Sequence, residues 1–518
     1  MKKIIALCLA VIMVVGLFAG CGNKGGDDEG GEKTLIMRAE TAFTTLDPAY
    51  SNNTHDIILY DQVYDGLYGM DEAHGGYYNE LAEKVEANAD STAYTVTLRD
   101  GIKFANGDPV TAQDCKFTFE RAMESAAMSY LVSMIDTVEA PDEKTLVLNL
   151  KYAYAPIAHT LFRVKIVSEK EVTEQGDKFG TIPNTAGAGP YYVSEFDIAT
   201  GAKLTANPHY YQGEPNIKAV DYRVYSDPAA AVIAFENGEL DFYDQAALTD
   251  WDSLKAASGD HNTMVVGNNI SWLGINYASK TNNGILGNDL VRQAIFYAVN
   301  KEDVNLAVCE GYGRAATTYM VPEFVPTQPT EGFEPYDYNV QKAKDLLAQA
   351  GYPDGADVGT ILTSTSANSS KTAQVVQAAL EAIGLHAECE FLDVSVYVER
   401  TNVQDFDLTI YGDSGNYDFN NIRQQVHSES FGMYVIDYRL DGKFDYERIE
   451  YLVEAGAAVA DLDERMTYYN ELWKIIMDTA TILPLINRPV AMVWAEDLDI
   501  GDPVPTYYKI KNFSWIEG

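Results

Sequence analysis

The chain has 518 residues, of which 77 are Asp or Glu and 37 are Lys or Arg, so its formal net charge is −40. Its 47% hydrophobic and 22% charged residues are typical of a folded protein and exclude wholesale disorder. The acidic balance excludes nucleic acid as a partner, because binding to phosphates requires clustered Lys and Arg. Five cysteines in so long a chain exclude a scaffold of disulfides.

Residues 1–20 have the features of a secretory signal peptide. Two lysines precede an uncharged apolar run from Ile4 to Phe18, which is shorter than the roughly 20 residues that span a bilayer. The following Ala19-Gly20-Cys21 resembles the lipobox of bacterial lipoproteins, which implies a lipid on Cys21. An ordinary signal peptide with a chance cysteine is the alternative.

Residues 21–33 predict a flexible tether after the lipidated cysteine. They are rich in Gly, Asp and Glu, and such a segment cannot form a hydrophobic core. No later apolar run is long enough to span a bilayer. We therefore expect an extracytoplasmic protein that contacts the bacterial cell membrane through its lipid anchor only.

The mature chain mixes strand patterns with helix patterns. Apolar periodicity predicts two strands and three helices, in chain order, over 94–98, 145–150, 291–299, 339–350 and 463–478. Gly351 follows the second of these helices and predicts its C-terminal end. Residues 482–486 predict a buried strand or crossover that Pro484 interrupts. The predicted fold class is α/β.

The motifs of common catalytic, metal and phosphate sites are not matched. The seven histidines are scattered, and none has the spacing of a zinc site. Gly187-Ala188-Gly189 is followed by Pro190 and a strand pattern, whereas a phosphate loop must open a helix. We therefore expect no enzyme, no metal and no cofactor. A secreted hydrolase with two facing carboxylates stays open as an alternative, since the carboxylates are too numerous to exclude one.

Three cysteines remain after Cys8 leaves with the signal peptide and Cys21 takes a lipid. We expect Cys115, Cys309 and Cys389 to be free buried thiols, with a bridge between two of them as the alternative.

A series of motifs then follows one order along the chain. The most specific covers residues 94–114, YTVTLRDGIKFANGDPVTAQD. Six others stand around it, namely TLDPA at 45–49, VYDGLY at 63–68, GAGPY at 187–191, NPHYY at 207–211, DLVRQA at 289–294 and AGYPDG at 350–355. Together they resemble the family 5 extracytoplasmic solute-binding proteins, the peptide- and nickel-binding receptors of bacterial ABC importers.

The resemblance implies a two-lobed fold of the periplasmic-binding-protein type, in the type II cluster of large peptide binders. Lobe I would comprise 34–265 plus 489–518, with an extra subdomain at about 75–190, and lobe II would comprise 266–488. The chain would cross between the lobes near 269–275 and 483–488, and the ligand would lie between them.

The resemblance also points to candidate ligand contacts. In peptide-binding relatives an aspartate of lobe II pairs with the amino terminus of the peptide, and the matching segment here is 408–418. Asp413 is the first choice for this role and Asp418 the second, with Tyr411 and Asn416 beside them. A turn-capping role for Asp413 is the alternative.

Two residues outside that loop are further candidates. Trp272 lies near the predicted crossover and either stacks on the ligand or belongs to the core. Arg400 is a candidate partner for the carboxyl terminus of a peptide.

The expected function is a monomeric, lipid-anchored receptor that delivers di- or oligopeptides to the permease subunits of an ABC transporter. One alternative keeps the receptor but changes the ligand to a nickel chelate, haem, an opine or an oligosaccharide. A surface sensor or adhesin that reuses the fold is more remote.

Overall fold

The computed structural model describes residues 33–73, 75–414, 417–428 and 436–516. Its α-helices are α1 (Thr54–Val63), α2 (Ala112–Glu124), α3 (Ile157–Arg163), α4 (Glu169–Gln175), α5 (Pro228–Glu236), α6 (Trp251–Ser258), α7 (Asp289–Ala298), α8 (Lys301–Cys309), α9 (Val340–Gln349), α10 (Ala367–Ala382), α11 (Val394–Asn402), α12 (Arg423–Val426), α13 (Tyr446–Ala458) and α14 (Leu462–Thr479).

The strands of the first half of the chain are β1 (Leu35–Ala39), β2 (Tyr68–Asp71), β3 (Gly76–Asn79), β4 (Ala82–Ala87), β5 (Ala93–Leu98), β6 (Ile135–Glu139), β7 (Thr145–Leu150), β8 (Tyr191–Asp197), β9 (Gly201–Ala206), β10 (Ala219–Val224) and β11 (Phe242–Tyr243). Those of the second half are β12 (Asn262–Ile275), β13 (Arg314–Ala315), β14 (Ala356–Ser364), β15 (Leu385–Leu392), β16 (Leu408–Ser414), β17 (Ile482–Trp494), β18 (Leu498–Asp499) and β19 (Ser514–Trp515).

Local signals explain where the predicted helices begin and end. The Asn339 side chain accepts a hydrogen bond from the Lys342 N–H at 2.9 Å, which caps the start of α9. Gly351 has a φ of 94°, a conformation that favours glycine after a helix. Asp461 caps α14 in the same way, accepting from the Glu464 N–H at 3.0 Å. The predicted helices and strands are therefore confirmed, with ends that differ by a few residues.

One large sheet organises the fold, in the strand order β15-β14-β16-β12-β17-β11-β1-β10-β9-β8, with β13 beside β17. Its two longest members, β12 and β17, are antiparallel and run through its centre. One end of this strand pair carries β11, and the other carries β16. We name the half that contains β1 and β8–β11 lobe I, and the half that contains β14–β16 lobe II.

The pairing of β12 with β17 changes register between the two lobes. Val266 pairs with Pro489 on the lobe I side, and Asn269 pairs with Arg488 on the lobe II side. The two intervening residues of β12 therefore bulge out of the ladder. Gly267 is required there, because a Cβ on it would lie 2.3 Å from the carbonyl oxygen of Arg488.

Each lobe has its own hydrophobic core. The core of lobe I gathers side chains from both ends of the chain, such as Leu35, Val193, Val220, Val490 and Ile510. The core of lobe II contains buried side chains from the middle of the chain, such as Leu273, Ile295, Leu347, Ile410 and Ile486. The two-lobed α/β prediction is thus confirmed, while the lobe boundaries at 265/266 and 488/489 stay a prediction.

A separate four-stranded antiparallel sheet, β4-β5-β7-β6, packs against α2. Its core includes Val96, Phe119 and Leu148, all at 0% exposure. This unit lies where the extra subdomain was predicted, within about 75–190, although those limits also stay a prediction.

A buried charge cluster ties this sheet to lobe I. It consists of three carboxylates and two ammonium groups, at 0–6% exposure, from Asp61, Asp65, Glu80, Lys165 and Lys509. The Lys165 Nζ lies 2.5 Å from the Asp61 carboxylate, and the Lys509 Nζ lies 3.5 Å from both Asp65 and Glu80. The cluster thereby joins α1, the start of β4 and the C-terminal segment.

The three cysteines of the described chain are free, and Cys115 and Cys309 are buried. Burial raises the pKa of the Cys309 thiol to about 11. The prediction of free thiols is therefore confirmed, although Cys389 is only half-buried. Among the described helices, none has both the length and the apolar character needed to cross a bilayer.

Candidate ligand-binding cleft

A cavity of about 1400 Å³ lies between the two lobes. Lobe I, the central strands and lobe II all contribute to its walls, through side chains that include His55, Tyr130, Arg163, Thr506, Tyr507, Asn269, Arg488, Lys371, Val398, Tyr411 and Gln425. Pockets for drug-sized ligands have roughly 300–1,000 Å³, so this cleft can accept a ligand of several residues. Its mixture of aromatic, amide and charged groups suits a polar ligand with apolar parts.

Tyr411 lies on the cleft wall as the last ring of an aromatic stack. Its ring stacks on that of Trp272 with 5.5 Å between centroids, and Trp272 stacks on Tyr319 at 4.8 Å. The Trp272 Nε1–H also donates to the Tyr319 carbonyl oxygen at 3.2 Å. With 1% exposure, Trp272 is a core residue that supports Tyr411 from behind.

The strand β16 continues past Tyr411 to Ser414, and the chain after it is described again from Tyr417. Asp413 lies in β16, where its backbone pairs with that of Ile270 in β12. This register brings Asp413 next to the irregular part of the central strand pair, and its ligand contact stays a prediction. Asn416 and the lipidation residue Cys21 lie outside the described residues.

The carboxylate of Asp418 is bonded to neighbouring groups of the protein. The Arg465 Nη1 donates to its carboxylate at 2.7 Å, and the Asn420 N–H donates at 2.8 Å. Burial raises the pKa of Asp418, and the pair with Arg465 opposes that rise. Asp418 lines a separate small cavity of about 90 Å³ beside Tyr130 rather than the main cleft.

Arg400 lies on α11 with its guanidinium turned to surface carboxylates. Its Nη1 donates to Glu390 at 2.6 Å, and its Nε donates to Asp405 at 2.8 Å. Val398, on the same helix, lines the cleft instead. The geometry therefore gives Arg400 a role in surface ion pairs.

Other groups line the cleft that the sequence patterns did not single out. Arg163, at the end of α3, and Arg488, beside the register change, both present guanidinium groups. The only signal for Arg163 in the sequence is a cation within the apolar run 161–164. Arg488 lies within β17, after the buried residues that begin this strand.

A buried contact beside the cleft joins the end of β2, the C-terminal segment and lobe II. Glu72, at 2% exposure, accepts hydrogen bonds from the backbone N–H groups of Thr506 at 2.9 Å and Tyr507 at 2.7 Å. The hydroxyl of Tyr417, which follows β16 in lobe II, donates to the other oxygen of the same carboxylate. Burial raises the pKa of Glu72, and these three hydrogen bonds oppose that rise.

A second contact joins the segment between β7 and α3 to the end of α13, where the Ala155 N–H donates to the Ala457 carbonyl oxygen at 2.7 Å. Within the described ranges, no group of three His, Cys, Asp or Glu side chains is placed to hold a metal ion.

Relatives of known function match most of the chain. The glutathione-binding protein GsiB of Shigella dysenteriae is 26% identical over 396 residues, which cover 74% of this chain and 73% of that protein. The structure of NikA from Brucella suis with Fe(III)-EDTA aligns with a TM-score of 0.81 and 22% identity, over 93% of this chain and all of that one. The oligopeptide-binding protein AppA from Bacillus subtilis with a nonapeptide aligns with a TM-score of 0.73 and 21% identity, over 94% and 99%.

The two structural likenesses show the fold. The model of the family described as bacterial extracellular solute-binding proteins, family 5 Middle, matches residues 76–425, which is more than half of the chain. The relatives that this chain resembles are solute-binding receptors rather than enzymes. The chain therefore belongs to the family 5 bacterial extracellular solute-binding proteins, the extracytoplasmic substrate-binding proteins of ABC importers.

Proposed function

We propose that the chain captures di- or oligopeptides and delivers them to the permease subunits of its ABC importer. The cleft of about 1400 Å³ between two lobes carries this proposal, because it has room for several residues. Tyr130, Tyr411 and Tyr507 line it, and tyrosine accommodates varied side chains through an apolar ring and a polar hydroxyl. The peptide-binding AppA and the glutathione-binding GsiB support the same ligand class.

A metal chelate is the second candidate, since NikA was solved with Fe(III)-EDTA. Isothermal titration calorimetry with unmodified peptides of two to five residues, and with Fe(III)-EDTA, distinguishes a peptide ligand from a metal-chelate ligand. We expect one peptide bound per chain and no heat from the chelate. Binding of the chelate alone would overturn the peptide assignment.

Asp413 is proposed to receive the amino group of the peptide. Because a buried charge pair typically loses about 2–5 kcal/mol when one partner is truncated, Asp413→Asn should weaken a free-amine peptide by that amount. The N-acetylated form of the same peptide should lose little. Calorimetry on both peptides measures the difference.

The matched control is Asp405→Asn, since Asp405 is also in lobe II but pairs with the surface residue Arg400. Equal losses for the two peptides in Asp413→Asn would instead assign Asp413 to the turn.

We also propose that Cys21 carries the lipid that anchors the protein. Each buried methylene adds about 0.8 kcal/mol, so two acyl chains hold a protein stably at a membrane. Fractionation of cells that express Cys21→Ser should move the protein from the membrane fraction to the soluble fraction. Retention in the membrane fraction would contradict the anchor.

A further inference from the structure

The buried charge cluster contains more carboxylates than cations. Asp61, Asp65 and Glu80 are each 0% exposed, against Lys165 at 3% and Lys509 at 6%. With all five groups ionised, three negative and two positive charges would lie out of contact with water. A buried charge without a partner is unfavourable, so the cluster favours the uptake of one proton, which makes it neutral.

Distances place this proton on Asp65 and Glu80, which we name the Asp65–Glu80 pair. The Lys165 Nζ lies 2.5 Å from the Asp61 carboxylate and balances its charge. The Lys509 Nζ is left with two carboxylates, those of the pair, each at 3.5 Å. No described residue donates a hydrogen bond to either carboxylate oxygen of Glu80. Two buried carboxylates that face one ammonium group repel each other, and a proton on one of them removes the repulsion.

The pKa values agree with this charge count. Burial and the neighbouring Glu80 raise the pKa of Asp65 to about 7. Burial lowers the pKa of Lys509, but Glu80 and Asp65 more than offset that effect and hold this pKa well above its usual range, so Lys509 stays charged. The pair therefore gains or loses its proton close to neutral pH.

Other ionisable groups face the pair from the neighbouring elements. They are, in chain order, Asp61 of α1, Tyr78 of β3, Lys165 after α3, Tyr210 and Tyr211 after β9, and Lys509 and Lys511 of the C-terminal segment. Burial raises the pKa of each of the three tyrosines, which keeps them neutral. Burial lowers the pKa of Lys165 and of Lys511, so substitutions have to distinguish these lysines from the pair.

The cluster holds the part of the C-terminal segment that lines the cleft. Residues 505–507 lie on the cleft wall, and Lys509 follows two residues later. The Gln62 side chain of α1 bonds the backbone on both sides of Lys509, donating to the Tyr508 carbonyl oxygen and accepting from the Ile510 N–H, each at 2.9 Å. We name residues 505–510 the wall segment. Loss of the proton adds an unbalanced charge beside these contacts, which only entry of water or movement of the wall segment can relieve.

We propose that the Asp65–Glu80 pair is a proton switch, whose release of a proton loosens the wall segment and weakens ligand capture as the pH rises past neutral. The sign follows from the charges, because the protonated pair balances Lys509 and the ionised pair exceeds it by one charge. The effect on capture rests on the proposed function for the location of the ligand in the cleft, whereas the effect on the wall segment does not.

Hydrogen exchange of the ligand-free protein at about pH 6 and about pH 8 tests the switch without any ligand. After correction for the pH dependence of chemical exchange, protection of the amides of the wall segment should fall at least about fivefold in the wild-type protein. Asp65→Asn removes the charge and keeps the shape, so it should retain the protection of the lower pH at both values. Glu80→Gln should do the same, since the two carboxyl groups share the proton.

Asp100→Asn is the matched control, because it changes an exposed carboxylate that pairs with Lys144. This variant should keep the pH dependence of the wild-type protein. A fall in protection that persists in Asp65→Asn or in Glu80→Gln would assign the proton to another group, such as Lys165, and overturn the proposal. Wild-type protection that is equal at both pH values would also overturn it.

Calorimetry with the tightest-binding peptide of two to five residues measures the effect on capture. Between about pH 6 and about pH 8, the wild-type protein should lose at least about fivefold more affinity than Asp65→Asn. Ionisation of the amino group of the peptide affects both proteins alike, so the difference between them isolates the switch. If no peptide binds while protection changes as stated, the peptide assignment fails and the switch stands. If a peptide binds and the two proteins lose equal affinity, the link between the switch and capture is overturned.

Discussion

Replacement of Lys509 by methionine should destabilise the protein by about 3–5 kcal/mol, because it leaves buried carboxylates without their cation. The Lys509 Nζ lies 3.5 Å from the carboxylates of Asp65 and Glu80, which are 0% exposed. It also donates to the Asp61 carbonyl oxygen at 2.9 Å. Urea-induced unfolding followed by circular dichroism measures the loss.

The loss should depend on pH in a stated direction. Burial and the neighbouring Glu80 raise the pKa of Asp65 to about 7, against the opposing effect of Lys509. The folded state therefore binds more protons than the unfolded state between about pH 4 and pH 7, and stability from this group falls as the pH rises through that window. Removal of Lys509 raises this pKa further, so the variant should lose more stability at pH 8 than at pH 5.

Two controls identify the cause. Lys474→Met removes an exposed lysine that pairs with Asp478 and should change stability little. Adding Asp65→Asn to the Lys509→Met variant should recover part of the loss, since one uncompensated charge disappears. An equal loss in Lys474→Met, or a loss independent of pH, would contradict the role of the buried cluster.

Tyr417→Phe should weaken ligand binding by about 10- to 100-fold. The Tyr417 hydroxyl in lobe II donates to Glu72, which also holds the cleft-lining backbone of Thr506 and Tyr507. A hydrogen bond to a charged group contributes about 1.5–3 kcal/mol, and we expect this one to form only when the lobes are closed. Its loss should therefore favour separated lobes and reduce affinity. Calorimetry gives the affinity, and small-angle X-ray scattering gives the radius of gyration.

Tyr438→Phe is the matched control for this contact. Tyr438 is fully buried and bonds Thr481, so both partners lie in lobe II. The control should lower the melting temperature without changing the ligand-free radius of gyration. If Tyr417→Phe behaves in the same way, with unchanged affinity, then the Glu72–Tyr417 contact does not stabilise lobe closure.

Much of the secondary structure could be predicted because its causes are local. The helix α9 has its cap Asn339, its apolar face and Gly351 within one stretch of sequence. The strands β5 and β7 alternate buried and exposed side chains, as their periodicity indicates. The register change between β12 and β17 could not be predicted, since it depends on the pairing of Val266 with Pro489, far apart in the chain.

The site was harder to predict because its determinants are long-range contacts. The resemblance to peptide-binding relatives pointed to the segment 408–418, and Tyr411 in that segment lies on the cleft wall. Glu72 and Tyr417 are 345 residues apart, and no local pattern connects them. The guanidinium of Arg400 could pair with a carboxylate of the ligand. The amino-acid sequence does not show, however, that this guanidinium already pairs with Glu390 and Asp405.

A crystal structure of the protein with its tightest-binding peptide tests the central claim most directly. The peptide is expected between the lobes, in the cavity that Tyr130, Tyr411 and Tyr507 line. Peptide density on the outer surface, with the cleft of about 1400 Å³ filled only by solvent, would contradict the account.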